Sequence, residues 1–203
     1  LQERIFNGSK PQIIFDHGVH IYNVAKIAEK IAEKTNGALN PNTAYVLGLL
    51  HDIGRIKDET VTKVPHSIEG YNYLHQKGHG DIAAICLTHC FIDKNIQRPD
   101  YPTFSDEQFY QTKNFLRSIK YNDYDHLIQI ADLFSRGREI MSIRQRLDRN
   151  KSFYKISKLS YEKYNIDIEQ IVADTFNLKK HIPQNHNGFI FIIQTNRLSQ
   201  AVR

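Results

Sequence analysis

The sequence predicts an all-α protein, organised as one domain with a C-terminal elaboration. Apolar residues recur every three or four positions along most of the 203 residues, and this is the spacing of a helix face. With 40% hydrophobic and 24% charged residues, the chain can bury one sizeable core, or at most two small ones. Neither an internal repeat nor a low-complexity segment interrupts this pattern.

The first two predicted helices are bounded by clear start and stop signals. One covers about 18–35, where branched and small apolar residues share a face and Asn36-Gly37 provides a stop. Pro41 begins the next, over about 41–52, and Gly54 follows it where a helix often ends on a glycine. The exit of this second helix therefore lies at residues 51 and 52.

The rest of the chain also follows a helical pattern. Further helices are expected at about 66–77, 80–92, 105–119, 123–149 and 152–164, with a short one near 167–177. Residues 94–103, with two prolines among polar residues, predict a long surface loop. Residues 188–193 are β-branched and aromatic enough for a strand, but they could equally form a helix packed on the core.

His51 and Asp52 are the most informative pair in the sequence. They follow the apolar run Gly48-Leu49-Leu50, and groups of this kind are not left in a core without a partner. Adjacent residues on a helix point about 100° apart, so only a helix end could turn both toward one ion. We therefore expect a bound divalent cation, with its remaining ligands at other buried positions.

Four further residues are candidate ligands. His20 and His89 lie on the apolar faces of their helices, and Asp132 lies in an apolar run where an isolated carboxylate would be costly. His66 begins a helix and could equally be solvated. Each of these residues alone would more often be a hydrogen-bonded core histidine or a paired aspartate, but together they predict a metal centre.

The remaining histidines and the two cysteines are expected to have ordinary roles. The other histidines lie near helix ends or in polar loops and are predicted to be surface residues. His17 remains a candidate outer-sphere residue because it is close to His20. Cys86 and Cys90 are one helical turn apart in an apolar stretch, which suits reduced core thiols better than a disulfide framework.

This arrangement resembles the HD-domain metal-dependent phosphohydrolase superfamily. The resemblance rests on the order His20, His51-Asp52, Asp132, and on the contexts His-x3-Val-Ala, Leu-Leu-His-Asp-Ile-Gly and Ala-Asp-Leu. It covers about 17–140 and implies an HD-domain-like helical bundle around a central metal site. Residues 141–203 would then form a C-terminal helical extension of a single domain over 1–203.

Some branches of the superfamily, including the one that hydrolyses diadenosine tetraphosphate, have two further histidines where this chain has His66 and His89. In those branches the pair implies a second metal ion, with Asp52 bridging the two ions. The chain departs from many two-metal members at Cys90, where they have a second consecutive histidine. It also lacks the Gly-Tyr-Pro signature of the cyclic-dinucleotide branch.

The predicted chemistry is metal-assisted hydrolysis. One or two divalent ions would polarise a phosphoryl oxygen and lower the pKa of a bound water. Asp52 would act as ligand and bridge rather than as general base, and His66 is a candidate proton donor. Nitrogen and oxygen ligands favour Fe, Mn or Co, with Zn and Mg as alternatives.

Basic residues near these ligands could bind the substrate phosphates. The candidates are Arg55, Lys57, Arg136 and Arg138. The alternative is that they are solvated surface charges. The expected substrate is a nucleotide phosphoester or phosphoanhydride, such as a diadenosine polyphosphate. Alternatives are a mononuclear 5′-nucleotidase and a nucleotide-sensing module with little turnover.

Composition indicates which classes of binding partner are to be expected. The net charge of +5 favours anionic ligands such as nucleotides, but it is spread along the chain rather than gathered in runs, so it is weak evidence for nucleic-acid binding, which we do not expect. No run approaches the roughly 20 apolar residues of a membrane span, and the first residues lack a signal-peptide pattern, so we expect a cytoplasmic protein without a membrane partner. A homodimer is compatible with the sequence.

Overall fold

The computed structural model describes residues 11–56, 64–92, 94, 96–98, 102, 104–140 and 161–178. Within these ranges the regular secondary structure is helical apart from one short hairpin, which confirms the predicted all-α class. The helices are α1 (Pro11–Glu33), α2 (Pro41–Leu50), α3 (His66–Gln76), α4 (Gly80–Ala83), α5 (Ile85–Thr88), α6 (Asp106–Ser118), α7 (Asp123–Leu133) and α8 (Ile168–Leu178). A 3₁₀ turn, Ile53–Ile56, follows α2.

Side-chain caps fix the starts of three helices. Asn40 accepts hydrogen bonds from two backbone N–H groups at the start of α2, and Pro41 occupies the first helical turn. Ser105 with Gln108, and Asn122 with Asp125, form capping boxes that begin α6 and α7. These caps satisfy donors that have no partner within the helix.

The main core lies between α1, α2, α5, α7 and α8, and α1 and α2 approach each other most closely at Gly48. A Cβ atom at Gly48 would lie 2.5 Å from the Ala25 Cα, so a side chain there would push the two helices apart. Val24, Ala28 and Ile31 of α1 are fully buried at this level. A smaller apolar cluster packs beneath α6 around Phe91 and Leu116.

The predicted helix over 123–149 is wrong beyond Leu133. There the chain forms an antiparallel pair of strands, β1 (Ser135–Arg136) and β2 (Glu139–Ile140), joined through Gly137 at φ +54°. A positive φ ends a right-handed helix and is easy only for glycine. Residues 141–149 lie outside the described residues.

Two further expectations need correction. The predicted helix over 80–92 is divided at Ala84 into α4 and α5. Gly54 is not a left-handed helix cap but lies inside the 3₁₀ turn, where it packs against α3. Most of the predicted 152–164 helix, part of the 94–103 loop and the whole 188–193 segment lie outside the described residues.

The described part of the C-terminal region packs on the main core. Tyr161 and the apolar face of α8, including Ile171 and Val172, are buried in the same cluster as α1. This agrees with an extension of one domain, although the single-domain organisation of 1–203 stays a prediction. None of the described helices is both long enough and apolar enough to cross a membrane.

Candidate metal centre

The His51–Asp52 pair lies at the end of α2, deep in the bundle. Their side chains are 0% and 4% exposed. His51 Nδ1 donates to the Gly48 carbonyl at 2.7 Å, so the ring presents the lone pair of Nε2 to the interior. Neither His51 Nε2 nor Asp52 Oδ1 has a hydrogen-bond partner among the described residues. Buried polar atoms of this kind fit the coordination of a cation.

One group of donors gathers on the Oδ2 side of Asp52. His20 Nε2 lies 3.7 Å from Asp52 Oδ2 and 3.2 Å from Asp132 Oδ1. His51 Nε2 lies 3.9 Å and 3.7 Å from the same two oxygens. Two imidazoles and two carboxylates from α1, the end of α2 and α7 thus converge, and we call them the first group. His20, His51 and Asp52 could hold one divalent ion, and Asp132 faces the same two imidazoles.

A second group of donors lies on the other oxygen of Asp52. His66 Nε2, at the start of α3, is 3.2 Å from Asp52 Oδ1. His89 Nε2, which follows α5, is 3.4 Å from the same atom. The two groups therefore share one carboxylate, with one oxygen facing each. All six residues predicted as ligands lie in these two groups.

Hydrogen bonds behind the ligands orient the imidazoles. His89 Nδ1 donates to the Ile85 carbonyl at 2.9 Å. His20 Nδ1 lies 3.1 Å from Ser135 Oγ, and Ser135 donates in turn to the His20 carbonyl at 3.4 Å, so its oxygen is the acceptor for the ring. As with His51, this arrangement leaves Nε2 as the metal-facing atom.

The segment that contains the proposed ligands matches the model of a known protein family. The model of the HD domain matches residues 18–137, which is more than half of the chain and spans every proposed ligand. The chain belongs to the HD domain family. The HD domain is typical of metal-dependent phosphohydrolases, and the two donor groups of this chain fit that chemistry. No solved structure matches the chain.

Electrostatics keep the carboxylates of this HD domain ionised. Burial opposes the charge on Asp52, but the His51 and His89 imidazoles and Arg55 hold its pKa well below the usual range. Burial likewise opposes the charge on Asp132, but the neighbouring His20 and His51 imidazoles keep its pKa low. Both side chains are therefore negative at neutral pH and suited to bind a cation.

The four proposed phosphate-binding residues of the HD domain differ in how they lie relative to the metal centre. Arg55, in the 3₁₀ turn, donates through Nε to Asp52 Oδ2 at 2.7 Å, and its Nη2 lies 3.2 Å from His66 Nε2. Arg138 pairs with Asp16 of α1. Arg136 is exposed on β1. Lys57 lies outside the described residues.

Two residues at the HD centre received no ligand role from the sequence. His17 was expected at the surface or in an outer sphere. Its Nδ1 lies 4.0 Å from Asp52 Oδ2 and its ring stacks on His20. Burial lowers the pKa of His17 to about 4, so it is neutral at pH 7. Its position three residues before His20 on the same helix face was the available signal.

Cys90 is the second such residue. Its Sγ lies 3.1 Å from His89 Nε2 and 3.6 Å from His66 Nε2, whereas the sequence favoured simple packing. Burial would raise the pKa of this thiol, but the two imidazoles lower it to about 7. The signal was its place in the sequence, directly after a predicted ligand.

Proposed function

We propose that this protein is a metal-dependent phosphohydrolase that cleaves a phosphoester or phosphoanhydride of a nucleotide. The observation that carries the proposal is the convergence of four imidazoles on Asp52, two on each oxygen, with Asp132 beside the first pair. When bound, the ion or ions would polarise a phosphoryl oxygen and acidify a water toward neutrality. We propose Fe, Mn or Co for the first group, from its nitrogen and oxygen donors.

The first group is open on one side. Asp132 is 33% exposed and His17 is 24% exposed, in contrast to the buried His51–Asp52 pair. Arg138 pairs with Asp16, the residue that precedes His17 on α1. We propose that substrate phosphate enters from this side, where guanidinium groups stabilise its charge.

Arg55 would contribute a second positive charge. Its guanidinium is 43% exposed while it contacts Asp52, so it can meet a ligand and the centre together. Because Arg55 keeps its charge at any physiological pH, it can neutralise a phosphate oxygen without proton transfer. Arg136 and Lys57 stay proposed phosphate contacts on sequence grounds alone.

The role of His66 separates the two enzymatic alternatives. In a two-ion enzyme acting on dinucleoside polyphosphates, His66 is a ligand through Nε2. In a one-ion enzyme acting on nucleoside 5′-monophosphates, the same atom faces the substrate and can donate a proton to the leaving oxygen. Its distance of 3.2 Å from Asp52 Oδ1 favours the ligand role.

The proposal is tested by metal content and phosphate release measured together. Protein purified without chelator is assayed for ions per chain, and then for phosphate release from diadenosine tetraphosphate and from nucleoside mono-, di- and triphosphates. We expect His51→Ala to lose both an ion and phosphate release. His75→Ala, an exposed histidine on α3, is the matched control and should retain both.

The outcomes discriminate between the functions. Loss of phosphate release in a folded His51→Ala protein that keeps its full metal content would show that the ligand assignment is wrong. About two ions per chain, reduced to one in the His66→Ala, His89→Ala double variant, supports the two-ion hydrolase. Tight nucleotide binding without phosphate release from any compound would instead support a nucleotide-sensing module.

A further inference from the structure

We propose that Cys90 is a metal ligand, so that the second group holds its ion through two imidazoles, one carboxylate oxygen and one thiolate. This inference rests on the metal centre of the proposed function and assigns its second half. The four donor atoms are His66 Nε2, His89 Nε2, Cys90 Sγ and Asp52 Oδ1.

Four of the six distances between these donors lie within about 0.2 Å of those expected for a tetrahedral site. They measure 3.1, 3.6, 3.2 and 3.4 Å, for Cys90–His89, Cys90–His66, Asp52–His66 and Asp52–His89 respectively. An ion with metal–nitrogen distances of about 2.0–2.1 Å and a metal–sulfur distance of about 2.3 Å would separate tetrahedral donors by roughly 3.3–3.6 Å. The His66, His89 and Cys90 ligand atoms all lie within 4.8 Å of one another.

Asp52 gives independent support for a ligand at this point. Its side chain is almost completely buried, and Oδ1 has no hydrogen-bond partner among the described residues although it faces the two imidazoles. A hydrogen-bonded cysteine packed beside two histidines would not satisfy this oxygen. A cation between the four donors would satisfy it.

The backbone explains how two adjacent residues reach one ion. His89 is the residue at the C-terminal end of α5, at φ −64° and ψ −31°, and Cys90 follows it. His51 and Asp52 have the same relation to the end of α2. At the ends of both α2 and α5, two consecutive side chains therefore face the same centre.

The donor set predicts the class of metal. Thiolate shifts the preference toward zinc, whereas the first group, with only nitrogen and oxygen donors, retains its preference for Fe, Mn or Co. Four protein donors also leave a tetrahedral ion without an open position, which is typical of structural zinc. We therefore expect a mixed centre, with the open side belonging to the first group.

Cys86 provides a matched control on the neighbouring turn. It is fully buried, its Sγ contacts the Leu50 carbonyl at 3.5 Å, and burial raises its thiol pKa to about 12. It resembles Cys90 in type and lies four residues before it, at the start of α5, but none of the described hydrogen bonds joins its sulfur to the second group. A thiol-dependent signal from the second group should therefore survive Cys86→Ala and vanish in Cys90→Ala.

The experiment is Co²⁺ titration of metal-depleted protein, followed by absorption spectroscopy, with zinc binding measured in parallel. We expect a sulfur-to-cobalt charge-transfer band in the native chain, in Cys86→Ala and in Asp132→Asn. The band should be absent from Cys90→Ala. Zinc affinity of the second group should fall in Cys90→Ala by more than the roughly 10–100-fold cost of losing an outer-sphere partner.

Each outcome has a definite meaning. Two ions per chain with no charge-transfer band, and unchanged zinc affinity in Cys90→Ala, would overturn the Cys90 assignment and leave the hydrolase proposal intact. If the chain binds a single ion and His66→Ala does not affect it, the second group is not a metal site. If Cys90→Ala does not fold, X-ray absorption of the native zinc protein decides the matter, because a sulfur neighbour at about 2.3 Å supports the assignment and its absence refutes it.

Discussion

Gly54 packs directly on the backbone of His66. A Cβ atom at Gly54 would lie 1.9 Å from the His66 carbonyl oxygen and 2.5 Å from the Gly70 nitrogen. The turn that carries Asp52 can approach α3 only because this side chain is missing. The contact therefore sets the separation between Asp52 and His66.

Gly54→Ala should lower stability and weaken the second group. Overpacking costs about 1–3 kcal/mol, and here the clash is with backbone that cannot rotate away, so we expect at least the upper end of that range. Denaturant unfolding and ions per chain measure the two effects. Gly80→Ala is the control, because its Cβ would meet only the His75 ring at 3.4 Å. Equal stability of both variants would contradict this account.

Ser135→Ala should weaken the first group without unfolding the chain. The hydroxyl holds His20 Nδ1 at 3.1 Å, and losing such a partner typically costs about 10–100-fold in metal affinity. The measurement is a competition titration with a chromophoric chelator. Ser118→Ala, which removes a hydroxyl bonded only to the Phe115 carbonyl on α6, should leave the affinity unchanged. An unaltered affinity in Ser135→Ala would mean that the ring is oriented by packing alone.

Thr88→Val should destabilise the bundle. Thr88 Oγ1 donates to Asp125 Oδ1 at 2.6 Å, and the Thr88 carbonyl accepts from Gln129 Nε2 at 2.8 Å, so this pair of bonds ties the end of α5 to α7. The substitution preserves shape but leaves a buried carboxylate short of a donor, which costs about 1–3 kcal/mol. Denaturant unfolding tests this, with the partly exposed Thr43→Val as comparison. Equal losses in the two variants would argue against the buried bond.

Asp123→Asn should lower the melting temperature at neutral pH but not at low pH. Burial opposes the charge on Asp123, but hydrogen bonds from Lys163 and Tyr164 together lower its pKa below 3.8. A lowered pKa stabilises the folded state above the ordinary value, and this contribution disappears as the pH falls through the folded-state pKa. The difference in melting temperature between native and variant chains should therefore shrink as the pH is lowered below 3.8. If the difference in melting temperature did not depend on pH, the cause would instead be the position of residue 123 at the start of α7.

Helical periodicity predicted several of the proposed ligands because they lie on the same inward helix faces as the core residues. His20 and Asp132 lie on apolar stripes of α1 and α7, and hydropathy shows which face of a helix is inward. His51 and Asp52 were predictable for the complementary reason, since a buried helix exit leaves polar groups in need of a partner.

The remaining features depend on contacts between distant segments, which local pattern does not contain. Ser135 reaches His20 across 115 residues, and the close approach of Gly54 to α3 is invisible in either stretch alone. The helix over 123–149 was predicted too long because apolar residues continue at helical spacing after Leu133. The left-handed backbone at Gly137 and the burial of Ser135 outweighed that spacing.

The separation of the ligands along the chain has a consequence for the order of assembly. Asp132 is the last of the proposed ligands along the chain, and its contact with His20 of α1 closes a loop that contains the intervening helices. Closing so long a loop is entropically costly before the core compensates for it. We therefore expect the complete ligand set to form late in folding. The nascent chain would acquire its metal as a nearly finished bundle rather than nucleate around it.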